Sequence, residues 1–171
     1  MKRTDWQPHF LTLFETFIIP LGQAFRPAEK SVILALLPGL EEEHGEYFEK
    51  TLSVIDEIRL AVKDEEGFFW QCLWLAIATS AEQRVGACNY CLKRMESLQK
   101  TESGLSLCQC CLYVEMLYAS PDPGLFIRAF CAGLTDLNPL VQRGFLDLLV
   151  KNVPLSLPML QKSTPLYCFW L

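Results

Sequence analysis

Apolar residues recur three and four positions apart along most of this chain, and that spacing constrains its fold more than any other feature. In the stretch at 6–20, the residues that share one side of a helix are all apolar: Phe10, Leu13, Phe14, Phe17 and Ile18. No segment shows the sustained polar–apolar alternation that is typical of a half-buried strand. The spacing therefore predicts an all-α protein.

Eight segments carry the helical pattern and are separated by short turns; they span residues 6–20, 26–40, 41–64, 65–80, 80–100, 103–120, 125–136 and 138–154. The most apolar run, 68–78, is far shorter than the ~20 residues that a membrane span needs. We therefore expect it to be a central, buried helix rather than a transmembrane one.

Local signals mark several helix ends. Pro38-Gly39 is expected to end the second helix. Asn138 followed by Pro139 is a strong start signal for the last one, because Asn caps free N–H groups and Pro fits the first turn. Ser80 and Gln83 have the spacing of a capping box, in which each side chain bonds the other residue's backbone N–H.

About eight consecutive short helices fit either a closed bundle or a solenoid of helical hairpins. The segments that begin at Ser80 and at Asn138 share a layout of cap, early arginine and apolar stripe, which favours an armadillo/HEAT-like solenoid. Their separation is longer than the ~40–47 residues of such repeats. The two arginines, Arg84 and Arg143, are expected to bond acidic groups on neighbouring helices.

The length and the net charge of the chain limit the classes of function that it could have. The chain has 171 residues, enough for one domain, and a net charge of −5. That charge disfavours nucleic acid as a partner, because phosphate binding needs clustered Lys and Arg.

Asp5 and Glu15 interrupt what would be the apolar part of a signal peptide, so we expect a cytoplasmic protein without a transmembrane span. In that compartment its eight cysteines are expected to be free thiols.

Four of these cysteines have the spacing of a zinc site: Cys88, Cys91, Cys108 and Cys111. Structural zinc sites usually place such pairs on tight turns. Here Cys88 and Cys91 fall within a helical apolar stripe, where free cysteine packs as a small hydrophobe. Core packing is the favoured interpretation, so no metal or cofactor site is predicted. A small zinc-stabilised protein-binding module is the alternative, and a redox pair is a third reading.

Patterns typical of catalysis are missing from the sequence. It holds no Gly-rich phosphate loop, nucleophile elbow or His-Glu-x-x-His motif. The two histidines, His9 and His44, have no partner nearby in sequence and are expected at the surface. The acidic run Glu41–Glu43 is interpreted as the first turn of the helix at 41–64, where carboxylates complement the helix dipole. We therefore predict no catalytic residue and no enzymatic activity.

One stretch is distinctive: "LLPGLEEEHGEYFEKTLSVIDEI" at 36–58. Together with "ETFIIPLGQAFRP" before it and "FFWQCLWLAIATSAEQRVGACNY" after it, this stretch resembles the N-terminal domain of the Dopey family. "LVQRGFLDLLVKNVPL" at 140–155 fits the same domain further on. The resemblance covers roughly residues 10–157.

The resemblance implies a function that the residues alone do not. Dopey proteins are very large cytosolic scaffolds that attach peripherally to Golgi and endosomal membranes and act in vesicle traffic between them. They bind a large protein related to Arf exchange factors and are linked to aminophospholipid flippases. Their N-terminal domain is an armadillo-like solenoid without enzymatic activity. The resemblance therefore implies a scaffold with protein partners.

The resemblance also implies a division of the chain. Residues 1–157 are expected to form a Dopey-like helical domain that lacks the earliest helices of the family domain. Residues 158–171 are expected to be a divergent apolar tail.

Overall fold

The helical pattern of the sequence is realised throughout the part of the chain that the computed structural model describes, residues 7–64, 67–101 and 123–152. Every regular element in these ranges is helical. We number the α-helices in chain order: α1 Gln7–Leu13, α2 Arg26–Leu36, α3 Phe48–Val62, α4 Leu75–Thr79, α5 Ala81–Thr101, α6 Pro123–Leu134 and α7 Pro139–Asn152. The predicted all-α class is confirmed for these residues. The helix predicted at 103–120 lies outside them, so the number of helices stays a prediction.

The first predicted helix is not continuous. A π-helical turn, Phe14–Ile18, follows α1, and a 3₁₀ segment, Ile19–Phe25, leads to α2. Within that segment Gly22 has a φ of 54°, a left-handed conformation that glycine adopts without steric cost. The chain therefore kinks close to Pro20, where the sequence predicted the first helix to stop.

Other helix ends follow their sequence signals. The 3₁₀ turn Leu37–Leu40 follows α2, at the predicted Pro-Gly stop. Asn138 caps α7, since its side-chain oxygen accepts the N–H of Leu140 at 3.0 Å. At the end of α3, Lys63 adopts the left-handed conformation (φ 59°) and donates its N–H to the carbonyl of Arg59 at 3.1 Å, which satisfies a terminal carbonyl.

The predicted central helix begins as a π-helical turn, Phe68–Trp74, and continues as α4. The side chains described in this segment include six buried ones: Phe68, Cys72, Leu73, Trp74, Ala76 and Ile77. Trp74 contacts the rings of Phe126 and Phe130 on α6, with centroids 5.0 and 5.9 Å apart. Phe130 in turn meets Phe145 on α7 edge to face at 5.3 Å. This segment is therefore central to the core, as predicted.

Each helix of the second half of the described chain packs on specific neighbours. The segment Phe68–Thr79 packs on α6, while α5 packs on α7. On its other side α5 contacts the 3₁₀ turn Leu37–Leu40, and α2 contacts the turn Phe68–Trp74. Two glycines let these backbones approach closely. A side chain at Gly86 would overlap the carbonyl of Leu37, and one at Gly144 would lie 2.6 Å from the sulfur of Cys88.

None of the helices in the described ranges has the length and apolar character needed to cross a membrane.

Candidate functional site

Cys88 and Cys91 lie one turn apart on α5 and belong to the hydrophobic core. Each is only 2% exposed, in agreement with the core interpretation. Burial raises the pKa of the Cys88 thiol to about 12, with a smaller contribution from the Asp147 carboxylate. At neutral pH these thiols are protonated and pack as apolar groups. Cys108 and Cys111 lie outside the described residues, so the four-cysteine zinc hypothesis stays a prediction.

A metal assay separates the two interpretations of the cysteines. Because Cys88 packs against Gly144 of α7 in the core, we expect the purified chain to hold far less than one zinc per molecule. We also expect its helical circular dichroism to be unchanged by a chelator. Within the described ranges, no group of three or more His, Cys, Asp and Glu side chains could hold a metal ion. About one zinc per chain, with unfolding on chelation, would instead establish the zinc module.

A nearly buried ion pair joins α5 to the turn between α6 and α7. The Arg84 guanidinium contacts the Asp136 carboxylate, and the two side chains are only 12% and 10% exposed. Arg84 Nε also donates to the carbonyl of Ile77 at 2.9 Å, one of the carbonyls that the C-terminus of α4 leaves without a helical partner. Asp136 accepts the N–H of Asn138 at 2.7 Å. One arginine thus ties the end of α4 to the start of α7.

The sequence prediction for the arginines is therefore confirmed for Arg84. Arg143 is exposed, and no ion pair joins it to any residue within the described ranges. The predicted capping box is wrong, because within the described ranges neither of its two hydrogen bonds joins Ser80 to Gln83. The N–H of Ser80 donates to the carbonyl of Ala76 at 2.9 Å, so it is not available to Gln83. The buried Gln83 oxygen has no hydrogen-bond donor among the described residues.

Truncating Arg84 is expected to destabilise the fold. Arg84→Ala removes two charge-assisted hydrogen bonds and leaves the Asp136 carboxylate without its counter-ion, so we expect a loss of about 3 kcal/mol in the free energy of unfolding. Urea denaturation measures it. Arg143→Ala is the matched control, and its effect should stay within about 0.5 kcal/mol because the side chain is exposed. Equal losses in both variants would contradict the assigned role of Arg84.

The same ion pair predicts a pH dependence. Burial alone would raise the pKa of Asp136, but the hydrogen bonds from Asn138 and Arg84 and the Arg84 charge outweigh it and lower the pKa below its ordinary 3.8. Because the folded-state pKa is the lower one, the carboxylate stabilises the fold above the ordinary value, and this stabilisation is lost as the pH falls through the folded one. The stability difference between wild type and Asp136→Asn should therefore be constant near about pH 6 and shrink below about pH 4.

A second polar cluster connects α3 to α5. Tyr90 is fully buried, and its hydroxyl donates to Asp56 at 2.7 Å. Arg94 of α5 pairs with the other oxygen of the same carboxylate, and Arg59 lies 3.8 Å away. Burial raises the pKa of Tyr90 well above 10, so the hydroxyl keeps its proton and its bond. This cluster holds two helices together, and the sequence analysis did not identify it.

A surface groove opens beside the distinctive sequence stretch. It has a volume of about 320 Å³ and lies between α1, the turn Leu37–Leu40 and the start of α3. Buried apolar side chains form its floor: Leu11, Leu36 and Phe48. Half-buried ones form its walls: Phe10, Pro38 and Tyr47. The groove therefore presents apolar side chains to the surface.

The acidic run does not lie where the sequence predicted. Helix α3 begins at Phe48, so Glu41–Glu43 precede it in a turn and are exposed. Glu41 and Glu42, together with Glu46, line the groove. The prediction that this run forms the first turn of a helix is wrong, because the 3₁₀ turn at Pro38-Gly39 is followed by a second turn closed by Gly45. His9 and His44 are exposed, as expected.

Comparison with known proteins identifies the family. The family model described as "Dopey, N-terminal" matches residues 3–166. This match ends inside the segment 158–171, and the predicted boundary at 157 stays a prediction. No solved structure matches the chain.

Three curated relatives illustrate the relationship. Protein dop1 of Emericella nidulans is 41% identical over 91% of this chain and 10% of its own length. Protein DOP1B of Xenopus laevis is 30% identical over 88% of this chain and 6% of its own length. Protein DOP1 of Saccharomyces cerevisiae is 26% identical over 89% of this chain and 11% of its own length. The chain thus spans only about a tenth or less of these relatives, and it belongs to the Dopey family, whose N-terminal domain it matches.

Proposed function

We propose that this chain is a non-enzymatic, helical interaction module of a Dopey-type scaffold, acting in vesicle traffic and protein transport between the Golgi and endosomes. The observation that carries the proposal is the family match over residues 3–166. The matching relatives are far longer, so the activity of the whole scaffold exceeds what this segment performs. The segment's own contribution is to present a helical surface to protein partners.

The proposed architecture is an armadillo/HEAT-like solenoid. The packing order supports it, because Phe68–Thr79 contacts α5 to form one pair of consecutive helices, and α6 contacts α7 to form the next. The first members of the two pairs contact each other, and so do the second members. In solenoids, the first helix of one repeat packs on the first helix of the next, and the second helix packs on the second, so that the repeats bury a continuous core. Such a surface is extended and suited to protein recognition.

The placement of the reactive side chains supports a non-enzymatic role. Burial raises the pKa of both Cys72 and Cys88 to about 12, which keeps these thiols poor nucleophiles. Arg84 and Asp136 are engaged in holding elements together. These four groups therefore have structural explanations.

The proposed partners are those that the family resemblance implies: a large protein related to Arf exchange factors, and the flippase machinery. The proposed location is cytoplasmic, with peripheral attachment to Golgi and endosomal membranes. An acidic chain gives little non-specific attraction to anionic lipid, so the attachment is assigned to protein contacts.

A chimera tests the proposed function. In Saccharomyces cerevisiae, the matching segment of Protein DOP1 is replaced by residues 3–166 of this chain, and recycling of a Golgi–endosome cargo is followed in cells without native DOP1. We expect the chimera to restore recycling. A chimera carrying Gly86→Val, which is expected to misfold the segment, is the negative control. Failure of the unmodified chimera, expressed at the native level, would contradict the proposal.

Exposed apolar residues on α7 predict self-association of the isolated chain. Leu140, Leu146 and Val150 are 75%, 51% and 81% exposed, and Leu146 and Val150, four residues apart, share one side of the helix. Exposed apolar patches of this kind drive association. Light scattering of the concentrated chain should show oligomers, and Leu140→Lys with Val150→Lys should shift the population toward the monomer. A monodisperse wild-type monomer at high concentration would contradict this prediction.

A further inference from the structure

We propose that the groove between α1, the turn Leu37–Leu40 and the start of α3 docks a short basic segment of a protein partner. One apolar side chain of that segment would enter the groove, and flanking Lys or Arg side chains would meet Glu41, Glu42 and Glu46. The proposal deepens the proposed function, on which it rests, by assigning a binding surface and a partner chemistry to the interaction module.

The size of the groove suits a single apolar side chain as the anchor. Its volume of about 320 Å³ is at the lower end of the ~300–1,000 Å³ that is typical of ligand pockets. Phe48 is 1% exposed and Leu36 3% exposed, so the floor is already packed and does not need a cofactor to fill it. The aromatic walls, Phe10 and Tyr47, offer the large, rigid contact area that is enriched at binding hot spots.

The charge of the rim selects a basic partner. Two other glutamates are already paired: Glu15 lies 3.3 Å from Lys50, and Glu43 lies 3.6 Å from Lys93. The three rim glutamates are exposed, and no cation within the described ranges forms an ion pair with them. Three carboxylates around an apolar groove attract a cationic segment, and they repel anionic lipid and nucleic acid.

Backbone hydrogen bonds fix the segment that carries the rim glutamates. The N–H of Gly45 donates to the carbonyl of Glu42 at 2.9 Å, and the N–H of Phe48 donates to the carbonyl of Gly45 at 3.1 Å. These bonds hold the segment 42–48 as two consecutive turns that lead into α3. A preformed rim loses little conformational entropy when a partner binds.

A peptide selection on the full chain tests the proposal. A random 16-residue phage library is panned against the wild type, and the selected peptides are measured by fluorescence anisotropy. We expect a consensus with Leu, Phe or Met flanked by Lys or Arg. The variant Glu41→Gln/Glu42→Gln/Glu46→Gln should weaken binding about tenfold, because it removes three rim charges, and the affinity of the wild type should fall with salt.

Two further variants make the test specific. Glu49→Gln/Glu57→Gln/Glu82→Gln removes the same number of exposed carboxylates outside the groove and should change the affinity by less than about twofold. Phe10→Ala should weaken binding while leaving its salt dependence intact, provided that its helical circular dichroism equals that of the wild type. Peptides without basic residues, no consensus at all, or equal weakening in both triple variants would each overturn the proposal.

The docking proposal and the proposed function fail in different ways. If the yeast chimera restores recycling but the groove selects no basic peptide, only the docking proposal is wrong. If the groove binds basic peptides but the chimera does not restore recycling, only the proposed function is wrong.

Discussion

Replacing Gly86 with valine is expected to lower the free energy of unfolding by about 3 kcal/mol or more. A Cβ at this position overlaps the backbone carbonyl of Leu37, which belongs to the 3₁₀ turn that α5 packs against. Backbone atoms cannot swing aside as a side chain does, so the two elements must separate. Separation would also break the 2.8 Å bond from the Asn89 side chain to the carbonyl of Leu40. Chemical denaturation of the full chain measures the loss.

The direction of the stability change at position 86 separates close packing from the ordinary effect of glycine in a helix. In an ordinary helix interior, replacing Gly with Ala stabilises by about 0.5–1 kcal/mol, because glycine has the greater backbone freedom to lose. Gly86→Ala is therefore expected to destabilise here only because of the close approach. Glu82→Val places the same β-branched residue on the exposed side of α5 and should cost less than about 1 kcal/mol. Stabilisation by Gly86→Ala would contradict the observed packing of α5 on the Leu37–Leu40 turn.

Trp74→Ala is expected to cost about 3–5 kcal/mol, the largest loss for any single truncation in the aromatic part of the core. The ring is fully buried and contacts two phenylalanines on α6, so its removal leaves a cavity between successive helix pairs. The rigid scaffold around it can collapse only in part. Thermal unfolding followed by circular dichroism should show a large drop in the Tm, and the transition should broaden if the pairs uncouple.

The control for Trp74 is an aromatic residue outside the core. Phe17 is 66% exposed, and Phe17→Ala should change the free energy of unfolding by less than about 0.5 kcal/mol. A small effect of Trp74→Ala, equal to that of the control, would mean that the contacts between Phe68–Thr79 and α6 do not hold the fold together.

Local sequence signals predicted the local structure well. The Asn138-Pro139 start, the Pro38-Gly39 stop and the apolar character of the central segment all depend on residues within a few positions of one another. Their physical causes are hydrogen bonds to free N–H groups, the fixed φ of proline and side-chain spacing on a 3.6-residue helix. The core position of Cys88 and Cys91 was predicted for the same reason, since it follows from periodicity.

Predictions that depended on distant partners were less successful. Arg84 and Arg143 occupy similar places in similar sequence layouts. Within the described ranges only Arg84 meets an acid, because Asp136 lies in the turn that α5 faces. The acidic run Glu41–Glu43 was assigned to a helix because carboxylates favour first turns. Its true position depends on two turns that carry the chain from α2 to α3, and it borders a groove to which α1 contributes a wall.

By itself the sequence determined the all-α class, most helix ends and the Dopey resemblance that the family match confirms. These features are encoded by short-range spacing and by contiguous residues. Only the tertiary structure decided which helices meet, that Gly86 and Gly144 are points of close contact, and that three glutamates line an apolar groove. The physical reason is that each of these depends on atoms brought together from separate elements, and the free energy of such contacts is a property of packing that no single segment carries.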